Sequence, residues 1–359
     1  MRTSTFYKLI VPLSILFCCI FISCKKDEDG RPDNAPGTPT FTAITPTEGG
    51  GGTLLTLSGA GLGDIRTIVF DNQDVPTAVQ PTLNTDKNIL FRVPDTAFGG
   101  PQHIILTNSA GKTLSVPFNV IALPSVSDVS NYNFTAGTRL TLTGNNLDDV
   151  STVTITGTSD AATIVSKSRK TMVIDMPATN MNRGTLDITN ASGKITTTQE
   201  FVNVDKALLI FTDAYGPDFS DNSWGDGAFI SSTEFKSGTK SVAKTYAKGN
   251  WHLIGFANWW PRVAYSPDYK YLSFWVKGAS ADHSLYVYSL QQEPDKDNES
   301  LGYKVDIPAN TWKYFKIPLT EAKLWGATPS GTFSVLRFRI HGPDNANETF
   351  HFDDIMLVK

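Results

Sequence analysis

Two stretches of this chain repeat each other, and this repeat restricts the possible folds more than any other feature. Residues 51–70, GGTLLTLSGAGLGDIRTIVF, align with residues 136–155, AGTRLTLTGNNLDDVSTVTI. A second alignment joins TNSAGK at 107–112 to TNASGK at 189–194. The two alignments are offset by 85 and 82 residues. A nearly constant offset indicates one structural unit present twice, and its length is that of a small β-sandwich domain.

Each repeat also has the sequence pattern of half-buried strands. Leucines alternate with polar residues, which places the apolar side chains on one face of a strand. These leucines are Leu55, Leu57, Leu140 and Leu142. We expect Gly59 and Gly144, which follow them, to lie in turns. Pro94 and Pro177 are expected at the ends of later strands, where a missing N–H costs least.

The pattern G-T-x-L-T-L-x-G-x-x-L with a later T-N-x-x-G-K resembles the TIG/IPT family of immunoglobulin-like domains. The resemblance covers residues 41–204 and implies two tandem domains, 41–122 and 123–204. Some members of this family contact DNA, and others are spacers in bacterial surface proteins. The formal charge of -4 provides no basic patch for nucleic acid, so we expect spacers.

The first residues have the pattern of a secretory signal. Arg2 and Lys8 precede an apolar run at 9–22, and Ser23 and Cys24 follow it. The run is shorter than the roughly 20 residues that a membrane-spanning helix needs. We therefore expect a signal peptide at 1–23, removed by cleavage before Cys24.

Residues 21–24, FISC, resemble a bacterial lipobox, which implies lipidation of Cys24 and anchoring by several acyl chains. The segment 25–30, KKDEDG, resembles the acidic export signal of Bacteroidota lipoproteins, and implies the extracellular face of the outer membrane. The alternative is an ordinary charged tether. Residues 31–40 are rich in Pro, Gly and polar groups, so residues 24–40 are expected to form a flexible, lipidated tether. The other cysteines, Cys18 and Cys19, lie in the signal, so no disulfide is expected.

Composition changes near residue 205. All seven tryptophans, nine of the eleven tyrosines and four of the five histidines lie beyond it. Short apolar-polar segments such as 271–278, YLSFWVKG, and 284–290, SLYVYSL, predict strands, and no long stretch keeps a helical period. We expect residues 205–359 to form a third β-sandwich, a two-sheet jelly roll, and the chain as a whole to be all-β.

Several motifs in this third part resemble those of carbohydrate-binding jelly rolls. They are SWG at 223–225, SGTKS at 237–241, GNW at 249–251, LSFWVKG at 272–278, TW at 311–312 with IPL at 317–319, and FDDI at 352–355. The resemblance implies a Bacteroidota surface glycan-binding lipoprotein, which captures a polysaccharide and delivers it to an outer-membrane glycan transporter complex. It also implies a structural Ca²⁺ at Asp353, held with carbonyl oxygens of the SGTKS turn.

Sugar rings stack on flat aromatic side chains, while their hydroxyls need a few placed polar groups. The segment NWHLIGFANWWPRVAY combines aromatic and polar side chains in this way, and its candidate contacts are Trp251, Trp259, Trp260 and Arg262. Adjacent strand residues face opposite ways, so at least one indole of the pair Trp259–Trp260 is expected to be exposed. The alternative is that one lies in the core and the other packs on a loop.

Other candidates for carbohydrate contact are more ambiguous. Trp224 and Trp325 lie in polar loops, where each is either a sugar platform or an anchor for its loop. In SLYVYSL, strand alternation places Tyr286 and Tyr288 on the face opposite the apolar residues. In VLRFRIH it does the same for Arg337, Arg339 and His341. Each of these faces is either a binding face or an ordinary solvated face. Trp275 and Trp312 are expected to be structural.

The sequence favours a binding protein over an enzyme. A glycosidase needs two carboxylates about 5–10 Å apart around a cleft, and the acidic residues beyond 205 lie in polar loops without a surrounding motif. The alternatives are a structural or adhesive surface protein that binds another protein, and a glycoside-active enzyme.

Overall fold

The computed structural model describes residues 37–290, 302–326, 330–340 and 345–359. The signal peptide, Cys24 and most of the tether therefore lie outside the described residues. The chain divides into two compact units, Met1–Leu123 and Pro124–Lys359. No helix among the described residues is long and apolar enough to cross a membrane.

The described part of the first unit forms a three-stranded sheet in the order β1-β3-β6 and a five-stranded sheet in the order β2-β8-β7-β4-β5. The alternating leucines of β3 point into a core shared by both sheets, as the sequence predicts. The strands are β1 (Thr40–Thr45), β2 (Glu48–Gly49), β3 (Leu54–Ala60), β4 (Ile65–Phe70), β5 (Val75–Thr77), β6 (Asn88–Arg92), β7 (Gly100–Asn108) and β8 (Thr113–Val120), with a 3-10 turn at Pro81–Leu83.

The second unit begins with a similar sandwich around its own core, which is formed by residues between Val129 and Phe201. Its sheets have the orders β13-β14-β11-β9, β12-β16-β17 and β10-β18-β15. The strands are β9 (Ser125–Val129), β10 (Asn133–Phe134), β11 (Arg139–Asn145), β12 (Thr152–Ile155), β13 (Thr163–Lys167), β14 (Thr171–Asp175), β15 (Arg183–Gly184), β16 (Leu186–Asn190), β17 (Gly193–Thr196) and β18 (Phe201–Asn203), followed by a 3-10 turn at Val204–Lys206.

The expectation that Gly59 and Gly144 form turns is wrong, because both lie inside strands, β3 and β11. Beside the glycine, the pairing of β3 with β1 and of β11 with β9 shifts register. A β-carbon on Gly59 would lie 1.9 Å from the carbonyl oxygen of Thr40, and one on Gly144 would lie 1.7 Å from that of Ser125. The repeated glycine therefore permits a close strand approach at a β-bulge.

The rest of the second unit is a larger sandwich of two main sheets. One has the order β21-β22-β31-β25-β28, with β19 also paired to β31, and the other has the order β20-β23-β30-β26-β27. Strands β24 and β29 form a separate pair. The strands are β19 (Leu208–Phe211), β20 (Ser220–Asp221), β21 (Phe229–Ser231), β22 (Ser241–Tyr246), β23 (Leu253–Ala257), β24 (Val263–Ala264), β25 (Tyr271–Lys277), β26 (His283–Ser289), β27 (Tyr303–Ile307), β28 (Trp312–Pro318), β29 (Thr332–Phe333), β30 (Val335–Arg339) and β31 (Glu348–Val358), with one short helix, α1 (Leu319–Ala322).

The two sandwiches of the second unit are packed against each other. Tyr132, in the loop before β10, stacks on Tyr314 of β28 with ring centroids 4.7 Å apart, and on Trp275 of β25 at 5.9 Å. The indole N–H of Trp275 donates to the side-chain oxygen of Asn131 at 3.0 Å. Trp275 is buried, which confirms its structural role and shows that the neighbouring sandwich covers it.

Polar side chains complete this contact. Asn133 donates to a carboxylate oxygen of Asp354 at 3.0 Å, and the Ser237 hydroxyl donates to the same oxygen at 2.8 Å. Nearby, Glu200 is paired with both Arg183 and Lys316. Buried carboxylates are stable only when hydrogen-bonded or paired, so these contacts fix the two sandwiches in one arrangement.

Candidate functional site

The most exposed aromatic side chain of the described residues, Trp260, lies in the tight turn of residues 258–262, which we call the tryptophan turn. It follows β23 and leads into β24. Trp259 is 50% exposed and Trp260 is 84% exposed, so the prediction that at least one indole of the pair is exposed is confirmed. Large exposed apolar groups grouped on a surface are typical of a binding site.

Hydrogen bonds at its base hold the tryptophan turn in place. Asn258 is buried, and its backbone N–H donates to the carbonyl of Ser334 at 2.7 Å. Its side-chain oxygen accepts the backbone N–H of Arg262 at 3.0 Å. Arg262 has φ of 70°, a left-handed conformation that is unusual for a residue other than glycine. The turn thus presents two indoles from a fixed base, and little conformational entropy would be lost on binding.

A cleft of about 560 Å³ lies beside the tryptophan turn. Its volume is within the range of ligand pockets. Aromatic and apolar groups are mixed with polar ones along its walls, as a sugar requires. The lining includes Asp218, Phe219, Pro261, Arg262, Tyr265 and Tyr269.

A second aromatic group lies at the opposite end of β23. Trp224, which is 60% exposed, forms a β-bridge with Leu253, and Leu253 pairs with Arg339 of β30. Directly paired residues share one face of a sheet. The guanidinium of Arg339 lies 4.6 Å from the ring centre of Trp251, a cation–π contact. We call these three residues, Trp224, Trp251 and Arg339, the Trp224 group.

The two aromatic groups border one edge of the sandwich. Strand β23 has five residues, and a strand rises about 3.3 Å per residue, so the groups are roughly 15 Å apart. Five of the predicted contact residues are thereby brought to this edge: Trp224, Trp251, Trp259, Trp260 and Arg262. An extended chain could contact both groups.

The structure corrects two of the predicted contacts. Trp325 is only 7% exposed; its indole N–H donates to the carbonyl of Val263 at 2.9 Å and its ring packs on Phe333. It is therefore a core residue and not a sugar platform. Tyr288 is fully buried, so it also cannot contact a ligand. Strand alternation correctly turns Tyr288 away from the main core, but does not reveal that this face is covered.

Arg339 is 9% exposed and lies against Trp251. Its role is therefore to support that indole, whereas the sequence predicts direct contact between Arg339 and the carbohydrate. His341 lies outside the described residues. Sequence reasoning missed Tyr265, although it belongs to the same run as Trp259. It is exposed at the cleft and packs edge-on against Trp325.

The environment of Asp353 does not resemble a calcium site. One carboxylate oxygen accepts the backbone N–H groups of Lys236 at 2.8 Å and Ser237 at 3.1 Å, and the other accepts that of Asp354. Burial and the neighbouring Asp354 charge raise the pKa of Asp353 above its usual value. Calcium requires oxygen ligands, whereas these partners are N–H donors. The described residues contain no group of three or more His, Cys, Asp or Glu side chains that could hold a metal ion. A structural Ca²⁺ at Asp353 stays a prediction.

The architecture can be compared with known proteins at this point. Residues 124–202 match the model of the IPT/TIG domain, so the chain is an all-β protein that contains an IPT/TIG domain followed by a β-sandwich. No curated protein matches the chain.

Solved structures extend the likeness to nearly the whole chain. A surface glycan-binding protein from Prevotella bryantii, PbSGBP-B, is 18% identical; the match covers 90% of this chain and 99% of that one with a TM-score of 0.53. The two proteins therefore share a fold. SGBP-B from a complex xyloglucan utilization locus in Bacteroides uniformis is 21% identical over 90% of this chain and 100% of that one, with a TM-score of 0.44.

Proposed function

We propose that this chain is a non-catalytic cell-surface protein that binds a polysaccharide along the edge between the Trp224 group and the tryptophan turn. The observation that carries the proposal is the pair of exposed indoles, Trp259 and Trp260, on a turn fixed by Asn258. The adjacent cleft adds polar groups that can bond to sugar hydroxyls. The fold shared with a protein named as glycan-binding supports the same class of function.

Affinity gel electrophoresis tests this proposal. The fragment 124–359 would be run through gels that contain xyloglucan, mixed-linkage glucan, arabinoxylan, galactomannan or pectin, with a non-binding reference protein in each gel. We expect one or more polysaccharides to retard the fragment relative to the reference. If no polysaccharide in the panel changes the mobility of the fragment while the fragment does retain a protein partner, glycan capture is wrong. The exposed indoles then form an adhesive patch for that partner.

We further propose that Cys24 is lipidated and anchors the protein to the extracellular face of the outer membrane, where the bound glycan passes to a transporter complex. The proposal is supported by the FISC and KKDEDG segments, and by the fold shared with a surface protein. Replacement of Cys24 by alanine is expected to release the protein from the cell surface or to block its maturation, because the acyl chains supply the attachment and the signal is expected to be cleaved before this cysteine.

A membrane-impermeant reagent applied to intact cells measures the location. The parent protein should be labelled before lysis and the Cys24→Ala variant should not be retained on the cells. Cys19→Ala serves as the matched control, since this residue lies in the signal that is expected to be removed. Labelling of the parent only after lysis would contradict surface exposure.

A further inference from the structure

A lysine is buried inside the C-terminal sandwich. Lys244 lies in β22 between Val242 and Tyr246, both of which belong to the core. It pairs directly with Phe350 of β31, another core residue, and so shares its inward face. Its side chain is fully buried, and its ammonium group has no hydrogen-bond partner in the part of the chain that the structure describes.

Such a residue needs an explanation, because an ammonium group loses strong hydration when it is buried. Burial lowers the pKa of Lys244, while the charges of Asp221 and Asp226 act in the opposite direction. A methionine of similar length would fill the same space without that cost. Stability of the fold therefore gives no reason for a lysine at this position.

Asp226 lies in the segment that closes this side of the sandwich, and Asp221 is the last residue of β20, directly before it. Residues 222–228 run from β20 in one sheet to β21 in the other, and β21 pairs with β22. Asp221 fixes both ends of the segment, because its carboxylate accepts the backbone N–H of Ser223 at 3.0 Å and that of Ala228 at 3.3 Å. Trp224 is exposed on the segment. Phe229, the first residue after the segment, pairs with Ala243, which precedes Lys244 in β22, so the end of the segment lies next to Lys244.

We propose that Lys244 is a positioning residue for the Trp224 group: its buried ammonium attracts Asp221 and Asp226 and thereby holds segment 222–228 with Trp224 in its binding position. The positive charge acts from beneath the segment and touches no ligand. The placement of Trp224 is independent of the proposed function, and only the consequence for affinity rests on it.

Fluorine NMR of protein labelled with fluorotryptophan tests the placement without any ligand. The seven tryptophans give seven signals, and the signal that disappears in Trp224→Phe is that of Trp224. In Lys244→Met we expect this signal to shift or broaden while that of Trp260 is unchanged, and the thermal midpoint to stay equal or rise, because an unpaired buried charge is removed. Lys240→Met, which removes an exposed lysine just before β22, is the control and should change neither.

Binding to xyloglucan, measured by calorimetry, tests the consequence. Lys244→Met should weaken binding about as much as Trp224→Ala, roughly tenfold, and the double variant should bind no more weakly than Trp224→Ala alone. An unchanged Trp224 signal in a Lys244→Met protein that folds normally overturns the inference, whether or not xyloglucan binds. If Trp224→Ala, Trp259→Ala and Trp260→Ala all leave binding intact, the proposed binding edge fails instead.

Discussion

Replacement of Trp275 by alanine is expected to lower the thermal midpoint of the fragment 124–359 by roughly 6–20 °C. Removal of a buried tryptophan side chain costs about 3–5 kcal/mol. In a domain of this size each 1 kcal/mol shifts the midpoint by about 2–4 °C. The substitution removes the stacking with Tyr132 and leaves the Asn131 side chain without its indole donor.

Differential scanning calorimetry measures this effect. Trp260→Ala is the matched control, because the same indole is removed from an exposed position, and its midpoint should change by less than about 2 °C. A Trp275→Ala fragment that melts like the parent would show that the contact between the two sandwiches contributes little to stability.

The same contact determines where the chain can be divided. A fragment that begins at residue 205 would expose Trp275 and would leave the buried Asp354 without Asn131 and Asn133. We therefore expect 205–359 to melt well below 124–359, and binding by isolated residues 205–359 to be a poor measure of the whole protein. The IPT/TIG domain at 124–202 thus supports the adjoining sandwich.

The second large effect concerns affinity. Trp259→Ala and Trp260→Ala are each expected to weaken polysaccharide binding by about tenfold to a hundredfold, because a buried aromatic anchor contributes roughly 1–3 kcal/mol or more at an interface. Neither substitution should lower the thermal midpoint as Trp275→Ala does, since both indoles are exposed before binding.

Isothermal titration calorimetry with the polysaccharide that retards the parent most strongly gives the affinities, and scanning calorimetry gives the midpoints. A Trp260→Phe variant keeps a flat ring and should retain part of the affinity lost in Trp260→Ala. If the alanine variants bind like the parent, or lose binding only in proportion to lost folding, the tryptophan turn is not the platform, and Trp224 and Trp251 become the next positions to test.

Much of the fold follows from local patterns in the sequence. The leucines of β3 and β11 alternate with polar residues over a single strand, and a strand with that pattern has one way to bury its apolar face. Strand alternation also predicts that at least one of the two adjacent indoles is exposed. Both are exposed, because β23 ends at Ala257 and the pair lies in the turn that follows.

The burial of Trp325 and Tyr288 could not be predicted in this way. Each depends on what packs over the residue, which strand alternation leaves undetermined. Trp325 lies among loop residues but contacts Phe333 and Val263, which are distant in sequence. Trp275 illustrates the converse, since its side chain points away from the core of its own sandwich and is covered there by Tyr132 and Asn131 of the neighbouring domain together with Tyr314 and Lys236.

Strand β31 also determines the order in which the C-terminal sandwich can fold. Its eleven residues, Glu348–Val358, pair with β22, β25 and β19, and Val242 meets Phe352 across more than a hundred residues of chain. Contacts of such long sequence separation form slowly. During synthesis from the N-terminus, the two preceding domains can complete their cores while β22 and β25 still lack their shared partner at the centre of the sheet. This last sandwich is therefore the part of the protein that depends most on protection from aggregation until the final strand arrives.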